Sequence, residues 1–117
     1  MTGAVSYQSG LAAEYAVAAD YRRRGFSEAA RRWRGEGGEI DLVFRDGAGL
    51  VFVEVKKARD FARAAERLTV RQLQRIWNAA SEFLGAEPGG LMTQVRVDLA
   101  LVDGVGRIRV IENVMLD

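Results

Sequence analysis

Two carboxylates, Asp41 and Glu54, interrupt two apolar runs in the middle of the chain, Ile40–Phe44 and Leu50–Val55. Charged side chains are rare inside buried strands unless they are paired or bind a ligand. Carboxylate and carbonyl oxygens are the ligands that Mg²⁺ and Mn²⁺ prefer, so these two side chains are candidate metal ligands. Lys56 follows two residues after Glu54, where its ammonium group could hold a water molecule or stabilise the charge of a phosphate.

The segment between the two runs, Asp46–Gly49, has the composition of a turn and predicts a β-hairpin. In the predicted register one side of the hairpin is apolar and the other is charged, and the facing pairs are Ile40 with Val55, Leu42 with Val53, Phe44 with Val51, Asp41 with Glu54 and Glu39 with Lys56. A shift of one residue would place Asp41 and Glu54 on opposite sides of the sheet. Two carboxylates about 5 Å apart repel by roughly 3 kcal/mol, so the pair favours a bound cation, with the Val55 carbonyl as a further ligand.

The same hairpin has a second interpretation, which involves no chemistry. In that interpretation the charged side is a solvated sheet face, and Glu39 and Lys56 form an ordinary cross-strand ion pair. The spacing of the residues alone does not decide between a metal site and a solvated face, because short motifs often occur by chance.

The composition limits the chemistry that is available. The 117 residues are 49% hydrophobic, which suits one globular domain, residues 1–117, with a modest core. The absence of Cys and His excludes disulfides, thiolate and imidazole metal ligands, and a Ser-His-Asp triad. We find neither the pattern of a signal peptide nor an apolar run of about 20 residues, so we expect a cytoplasmic protein.

Charge is segregated along the chain, although the formal net charge is only +1. From Arg22 to Arg75 there are 14 Lys and Arg against 8 Asp and Glu, and acids outnumber bases in the rest of the chain. The central part of the chain is therefore the basic part, and it contains the predicted hairpin.

Two helices are predicted to flank the hairpin in sequence. The first runs to about Arg24, with Ser6 or Ser9 as its N-cap and Gly25 as its stop signal. Its apolar stripe consists of Leu11, Tyr15, Ala18 and Tyr21 or Arg22. Glu14 falls on or beside this stripe, and the simplest explanation of an acid there is a border residue that reaches solvent.

The second helix is predicted from Thr69, its N-cap, to about Gly85. Its apolar stripe consists of Leu73, Ile76, Trp77, Ala80 and Leu84. The opposite, basic stripe includes Arg67, Arg71 and Arg75, and it is either a solvated face or a surface that follows phosphates. The preceding segment, after Lys57 and up to Leu68, lacks a clear period and predicts a mobile loop beside the charged face.

The remaining strands are shorter or less regular in pattern. Phe26–Arg34 predicts a short strand with an exposed, Arg-rich aspect. Thr93–Val102 alternates apolar residues with Arg96 and Asp98, which is typical of a half-buried strand, and Arg107–Glu112 follows it as a hairpin partner.

The motifs GEID, at residues 38–41, and FVEVK, at residues 52–56, resemble the YraN family of bacterial endonuclease-like proteins. The upstream helical Glu14 and the downstream segments RVDLALV and IENV extend the resemblance over nearly the whole chain. The resemblance implies the restriction-endonuclease-like fold of the PD-(D/E)XK superfamily, related to Holliday-junction resolvases. That fold is an α/β core with a mixed central β-sheet and helices on both sides.

The resemblance also implies roles for particular residues. Asp41 and Glu54 correspond to the metal-binding acids, Lys56 to the catalytic lysine, and Glu14 to the helical acid that completes many such sites. The chain departs from the family pattern in having Arg32, Ala58 and Gln72 where the family usually has Asn, Arg and Lys. These departures leave open a member that binds nucleic acid without cutting it.

We therefore predict an Mg²⁺- or Mn²⁺-dependent DNA endonuclease that hydrolyses phosphodiesters, with branched or structured DNA as its expected substrate. The alternatives are a catalytically silent nucleic-acid-binding module of the same fold and a protein-interaction domain. The predicted phosphate contacts are Arg31, Arg32, Arg34, Lys57, Arg67, Arg71 and Arg75. A homodimer is compatible with this function, and the sequence leaves the oligomeric state open.

Overall fold

A computed structural model describes residues 3–115 of the chain, with side chains described from residue 9 onward. The helices are α1 (Gly3–Arg23), α2 (Phe61–Glu66) and α3 (Val70–Leu84), with a short 3₁₀ helix at Gly90–Met92. The strands are β1 (Ser27–Arg34), β2 (Glu39–Asp46), β3 (Gly49–Lys57), β4 (Val95–Val102) and β5 (Ile108–Ile111). None of the helices described in residues 3–115 is both long and apolar enough to cross a membrane.

The five strands form one mixed sheet in the order β1-β2-β3-β4-β5. All neighbours are antiparallel except β3 and β4, which are parallel. A parallel pair needs a long crossover connection, and here α2 and α3 provide it. The prediction of an α/β fold with a mixed sheet is confirmed.

The sheet has helices on both of its faces, as predicted. On one face α1 packs with Val17 and Tyr21 against the β2–β3 hairpin residues Phe44 and Val53. On the other face α3 covers a second core and α2 covers the end of β4. Both faces of the central strands are therefore buried, which explains their nearly continuous apolar sequences.

The predicted hairpin register is confirmed by the backbone pairs Leu42–Val53 and Phe44–Val51. The last pair is Asp46–Gly49, so the turn consists of only two residues, of which Gly47 has a positive φ of 61°. The predicted position of Ile40 is wrong. Ile40 packs in the core under α3 and not beside Leu42 under α1, so the apolar and charged sides do not alternate regularly to the end of the strand.

Two predictions about α1 are wrong. The helix begins at Gly3, so Ser6 and Ser9 lie inside it and are not N-caps. Tyr15 is 60% exposed, whereas Glu14 lies among the buried residues of the helix. Among the described side chains of α1, from residue 9 to residue 23, the buried ones are Ala13, Glu14, Val17, Ala18 and Tyr21.

The segment after β3 was predicted to be a loop. This prediction is wrong, because the segment contains α2. Asp60 is the N-cap of this helix, and its side chain accepts a hydrogen bond from the main-chain N–H of Arg63 at 2.8 Å. Ala64 is fully buried against Leu99 and Leu101 of β4. For α3 the predicted N-cap is confirmed, since Thr69 and Gln72 form a capping box.

Strand β4 is buried on both faces and is not half-buried as predicted. Asp98 on this strand has no exposed surface, and four hydrogen bonds compensate its charge. Its oxygens accept from the Tyr21 hydroxyl at 2.6 Å, from Arg96 Nε at 3.0 Å and Nη2 at 3.3 Å, and from the main-chain N–H of Asn113 at 3.0 Å. Asp98 thus joins α1 to the middle of the sheet and to the segment after β5.

We expect Tyr21→Phe to destabilise the protein by about 1.5 to 3 kcal/mol, because it removes a hydrogen bond to a buried charge. The control is Tyr15→Phe, which alters an exposed ring and should stay within about 0.5 kcal/mol of wild type. Urea denaturation of the two variants measures both effects. Equal stability of the two variants would contradict the role assigned to Asp98.

Candidate active site

The carboxylate of Asp41 takes the place of a main-chain acceptor at the end of the hairpin. The backbone pairing of β2 with β3 runs from the turn to the pair Leu42–Val53. Beyond this pair, Asp41 Oδ2 accepts a hydrogen bond from the main-chain N–H of Val55 at 2.8 Å. The side chain of Asp41 is therefore held against β3, next to Glu54.

Glu54 is a nearly buried carboxyl group beside this aspartate. Burial, a hydrogen bond shared with the Asp41 carboxyl and the negative charge of Asp41 together raise the pKa of Glu54 well above its ordinary value of 4.5. Lys56 acts in the opposite direction, since its Nζ lies 3.5 Å from Glu54 Oε2. The side chains of Glu54 and Lys56 are only 14% and 18% exposed, so the alternative of a solvated sheet face is wrong.

Glu14 lies on the buried face of α1, but Arg32 holds its carboxylate. Arg32 Nε donates to Glu14 Oε1 at 2.9 Å and Nη2 donates to Oε2 at 3.3 Å. Burial raises the pKa of Glu14, Arg32 lowers it, and the charges of Asp41 and Glu39 raise it further. Glu14 is therefore close enough to interact with the charge of Asp41, while its hydrogen bonds go to Arg32.

Arg32 has a backbone conformation that is unusual for its residue type. Its φ is 51°, in the left-handed region, which costs roughly 1 to 2 kcal/mol for a residue other than glycine. In the β1–β2 register it lies between the pairs Arg31–Leu42 and Trp33–Ile40, opposite Asp41. The sequence predicted a phosphate contact for Arg32, whereas the structure shows it paired with Glu14.

The described residues contain no group of three or more acidic side chains arranged to hold a metal ion together. The structure brings Asp41, Glu54 and Lys56 into contact and places Glu14 nearby, outside their hydrogen-bonded cluster. The two clustered carboxylates are a pair of oxygen donors of the kind that Mg²⁺ and Mn²⁺ accept. A metal at this place would have to complete its coordination with main-chain oxygens, water or substrate.

A cavity of about 590 Å³ opens next to this pair. Its described lining comes from α1, from the end of β3, from the segment after β3, from the end of α2 and from the β4–β5 turn: Ser9, Gly10, Ala13, Glu14, Val55, Lys56, Lys57, Ala58, Arg59, Arg67 and Gly104. Val55, a predicted metal ligand, therefore faces the cavity together with Lys56. Sequence patterns did not identify Arg59 or Gly10 as parts of a site, because neither belongs to a motif.

The predicted phosphate contacts lie in three different environments. On β1, Arg31 Nη2 donates to Glu28 Oε1 at 2.7 Å, and the Arg31 guanidinium packs on the Tyr15 ring. The exposed Arg34 forms an ion pair with Glu39, with Nη2 at 3.2 Å from Oε2. Lys57 and Arg67 line the cavity, where Arg67 Nη1 donates to the Lys57 carbonyl at 3.1 Å. Arg71 and Arg75 are exposed on α3, and neither forms an ion pair with a described residue.

The glycine-rich segment before β2 is anchored to α3. The Glu82 carboxylate accepts hydrogen bonds from the main-chain N–H groups of Glu36 at 2.8 Å and Gly37 at 2.7 Å. Gly38 has a φ of 155°, and a Cβ there would lie 3.1 Å from the Arg75 carbonyl. Glycine at position 38 therefore lets β2 begin close to the basic face of α3.

Comparisons with known proteins agree along nearly the whole chain. A family model described as uncharacterised protein family UPF0102 matches residues 13–102. The chain is similar to a UPF0102 protein of Cereibacter sphaeroides strain ATCC 17025, with 57% identity over 113 residues that cover 97% of each chain. A UPF0102 protein of Ruegeria pomeroyi is 55% identical over 111 residues, which cover 95% of this chain and 90% of that protein. One from Roseobacter denitrificans is 46% identical over 113 residues, which cover 97% of this chain and 88% of that protein.

The raised pKa of Glu54 predicts a pH dependence of stability. Between pH 4.5 and the raised value, the folded protein holds a proton that the unfolded chain has released, so the free energy of unfolding falls as pH rises. Glu54→Gln removes this dependence, and its advantage over wild type should grow by up to about 1.4 kcal/mol per pH unit in that interval. Urea denaturation from pH 5 to pH 8 without metal tests this, with Glu66→Gln, an exposed glutamate on α2, as the control. A constant difference between Glu54→Gln and wild type would contradict the prediction.

Proposed function

The chain belongs to the YraN family, the uncharacterised family UPF0102, and since that description assigns no activity we propose one from the site: a divalent-metal-dependent DNA endonuclease. One observation carries the proposal. Asp41, Glu54 and Lys56 form a hydrogen-bonded and ion-paired cluster, almost buried, beside a cavity with several cationic side chains. Perturbed carboxylates beside a lysine in a cleft are typical of a catalytic site, and less so of a structural ion pair.

The donor set fits Mg²⁺ or Mn²⁺. Asp41 and Glu54 supply carboxylate oxygens, the Val55 carbonyl is the candidate third protein ligand, and the chain has no thiolate or imidazole to favour another metal. A divalent ion there would polarise a phosphate and lower the pKa of a bound water, which is the usual contribution of a metal to phosphodiester hydrolysis. Glu14 would support the ion from α1 as an outer ligand.

The other groups of the site position and stabilise the substrate. Lys56 lies within 3.5 Å of Glu54 and also lines the cavity, so its ammonium group can contact both the metal-binding acid and a phosphate oxygen. There it would orient the attacking water or stabilise the negative charge that develops on the phosphate. Glu54 holds the Lys56 side chain in place at 3.5 Å, and the surrounding apolar core limits the access of bulk water.

The surface around the site supports nucleic acid as the substrate class. Lys57, Arg59 and Arg67 line the cavity, and Arg71 and Arg75 extend the positive charge along α3. Lys and Arg side chains that lack acidic partners are available to phosphates. We propose branched or structured DNA as the substrate. We also propose that the protein acts in the cytoplasm, where chromosomal DNA is found.

The Glu14–Arg32 ion pair favours a second candidate function. In many sites of this type a helical acid joins the other carboxylates, whereas here both oxygens of Glu14 bind Arg32. A protein that keeps the fold and the basic surface without turnover would bind DNA and leave it intact. The protein-interaction alternative has less support, because it assumed solvated acids, whereas Glu14 is 9% exposed and the side chain of Glu54 is 14% exposed.

We expect Mn²⁺ at millimolar concentration to raise the melting temperature of the wild type, because a ligand that binds only the folded state stabilises it. Asp41→Asn and Glu54→Gln should lose most of this increase, since each removes a charged ligand. Differential scanning calorimetry with and without Mn²⁺ measures the increase, and Glu66→Gln is the control that should keep it. An equal increase in wild type and in both site variants would exclude a metal site here.

Variants of Lys56 and Glu54 distinguish the proposed endonuclease from a module that binds DNA without cleaving it. Lys56→Ala should lower the cleavage rate by about 10² to 10³, with only a modest loss of DNA affinity, because one stabilising charge is removed from a surface with many. Glu54→Gln should abolish metal-dependent cleavage, because it removes a carboxylate ligand, while metal-free DNA binding holds or tightens, because glutamine is neutral at every pH. Cleavage assays on duplex, single-stranded and four-way-junction DNA, with affinities measured in parallel, test both, and Arg23→Ala is the control. Salt-dependent binding without cleavage of any substrate by wild type would leave the binding module as the function.

A further inference from the structure

The cavity beside the candidate site has an uneven distribution of charge. Among its described lining residues, four are cationic, Lys56, Lys57, Arg59 and Arg67, and one is acidic, Glu14. Lys56 lies 3.5 Å from Glu54, and Arg32 pairs with Glu14 at 2.9 Å. No described carboxylate lies within ion-pair distance of the other three cations. The charge of the cavity therefore favours the binding of an anion.

The cationic wall of the cavity is fixed by main-chain hydrogen bonds. The Ala58 N–H donates to the Val102 carbonyl at 3.1 Å, and the Gly104 N–H donates to the Arg59 carbonyl at 3.1 Å. Arg67 Nη1 donates to the Lys57 carbonyl at 3.1 Å, which joins the end of α2 to the end of β3. The three cations therefore start from an ordered backbone, and a ligand would have to order little more than their side chains.

The opposite wall of the cavity is formed by small residues of α1. Gly10 and Ala13 line it, and a Cβ added at Gly10 would have no atom within 4 Å. Glycine weakens the interior of a helix relative to alanine, and no close contact requires glycine at this position. What glycine leaves here is space: a longer side chain at position 10 would extend into the cavity.

We propose that this cavity binds one unpaired nucleotide of a DNA strand, with the strand phosphates on Lys57, Arg59 and Arg67. This inference rests on the proposed function, because the cavity adjoins the same site, and it specifies the substrate as DNA with a single-stranded segment. A volume of about 590 Å³ is in the range of pockets that enclose one small ligand, and a recess between a helix and a sheet edge does not admit a base-paired strand. No aromatic side chain is among the described lining residues, which therefore contribute to recognition through phosphate charge.

The first test measures DNA binding by fluorescence anisotropy in EDTA, so that it is independent of cleavage. The probes are a labelled single-stranded oligothymidylate, a blunt duplex, and the same duplex with a single-stranded tail. Wild type should bind the single strand and the tailed duplex at least tenfold more tightly than the blunt duplex. Lys57→Ala/Arg59→Ala should lower the affinity for the single strand about tenfold and reduce its log-log salt slope by about 1.4, for two lost phosphate contacts.

Two further variants separate the cavity from the general basic surface. Gly10→Leu changes no charge but fills the space of the cavity. It should weaken single-strand binding about tenfold and leave blunt-duplex binding within twofold of wild type. Gly10→Ala should have a much smaller effect on single-strand binding. The melting temperature of Gly10→Leu should equal or exceed that of wild type, because leucine favours the helix more than glycine does. Such a result excludes misfolding as the cause of the weaker single-strand binding. Arg22→Ala/Arg23→Ala removes two charges about 12 Å or more along α1 from Glu14, at the other end of the helix, and should not weaken single-strand binding by more than twofold.

The outcomes distinguish the cavity from the nuclease. Unchanged single-strand affinity in Gly10→Leu, or equal affinity of wild type for all three probes, would overturn the strand-binding cavity whether or not DNA is cut. Displacement of the oligothymidylate by an equimolar amount of thymidine monophosphate would assign the cavity to a free nucleotide and would also overturn it. If the expected binding pattern is found without cleavage in Mg²⁺ or Mn²⁺, the cavity stands and the nuclease fails.

Discussion

The hydrogen bond from the Val55 N–H to the Asp41 carboxylate determines how the site is built. At this point a side chain ends the pairing between β2 and β3, and it brings an ionisable group against the neighbouring strand. Glu54 is consequently buried beside a second carboxyl group, an arrangement that is costly for two negative charges. The fold can relieve this cost with a proton on Glu54, with the charge of Lys56, or with a cation. A buried carboxyl pair beside a lysine is thus suited to metal binding because it is strained without a metal.

The rest of the molecule keeps this arrangement in place from a distance. Asp98 joins α1 to β4 through Tyr21, and so sets the position of the helix that carries Glu14 and the small residues of the cavity wall. On the other face, Glu82 anchors the segment that leads into β2. Asp41 and Glu54, the cationic wall and the basic face of α3 all lie at the end of the sheet where the parallel strands β3 and β4 end. Ligands of open α/β sheets usually bind at this end.

Much of this could be predicted from sequence because it depends on local patterns. The turn composition of Asp46–Gly49 and the period of two predicted the hairpin register, and that register brings Asp41, Glu54 and Lys56 together. The capping box at Thr69 and the apolar stripe after it predicted α3. Helix α2 was missed because a six-residue helix that fully buries only Ala64 has too little pattern to detect.

The features that could not be predicted depend on contacts between distant segments. Asp98 looked like the exposed residue of a half-buried strand, and it is buried only because α1 covers that face and Tyr21 provides a donor. The pairing of Arg32 with Glu14 depends on a positive φ in a strand, which no local propensity of arginine favours. The described lining of the cavity likewise comes from four separate segments, and Gly10 belongs to it only through the packing of α1.

The central claim is that Asp41 and Glu54 form a cation-dependent carboxyl pair, and the protonation of Glu54 tests it most directly. The measurement is a pH titration of the Glu54 side-chain carboxyl ¹³C resonance by NMR, without metal and with saturating Mg²⁺. Without metal the resonance should titrate well above the ordinary pKa of 4.5, and Mg²⁺ should move the titration to much lower pH, because the metal and the proton compete for the same oxygens. A titration near 4.5 without metal, or one that Mg²⁺ does not move, would contradict this account of the site.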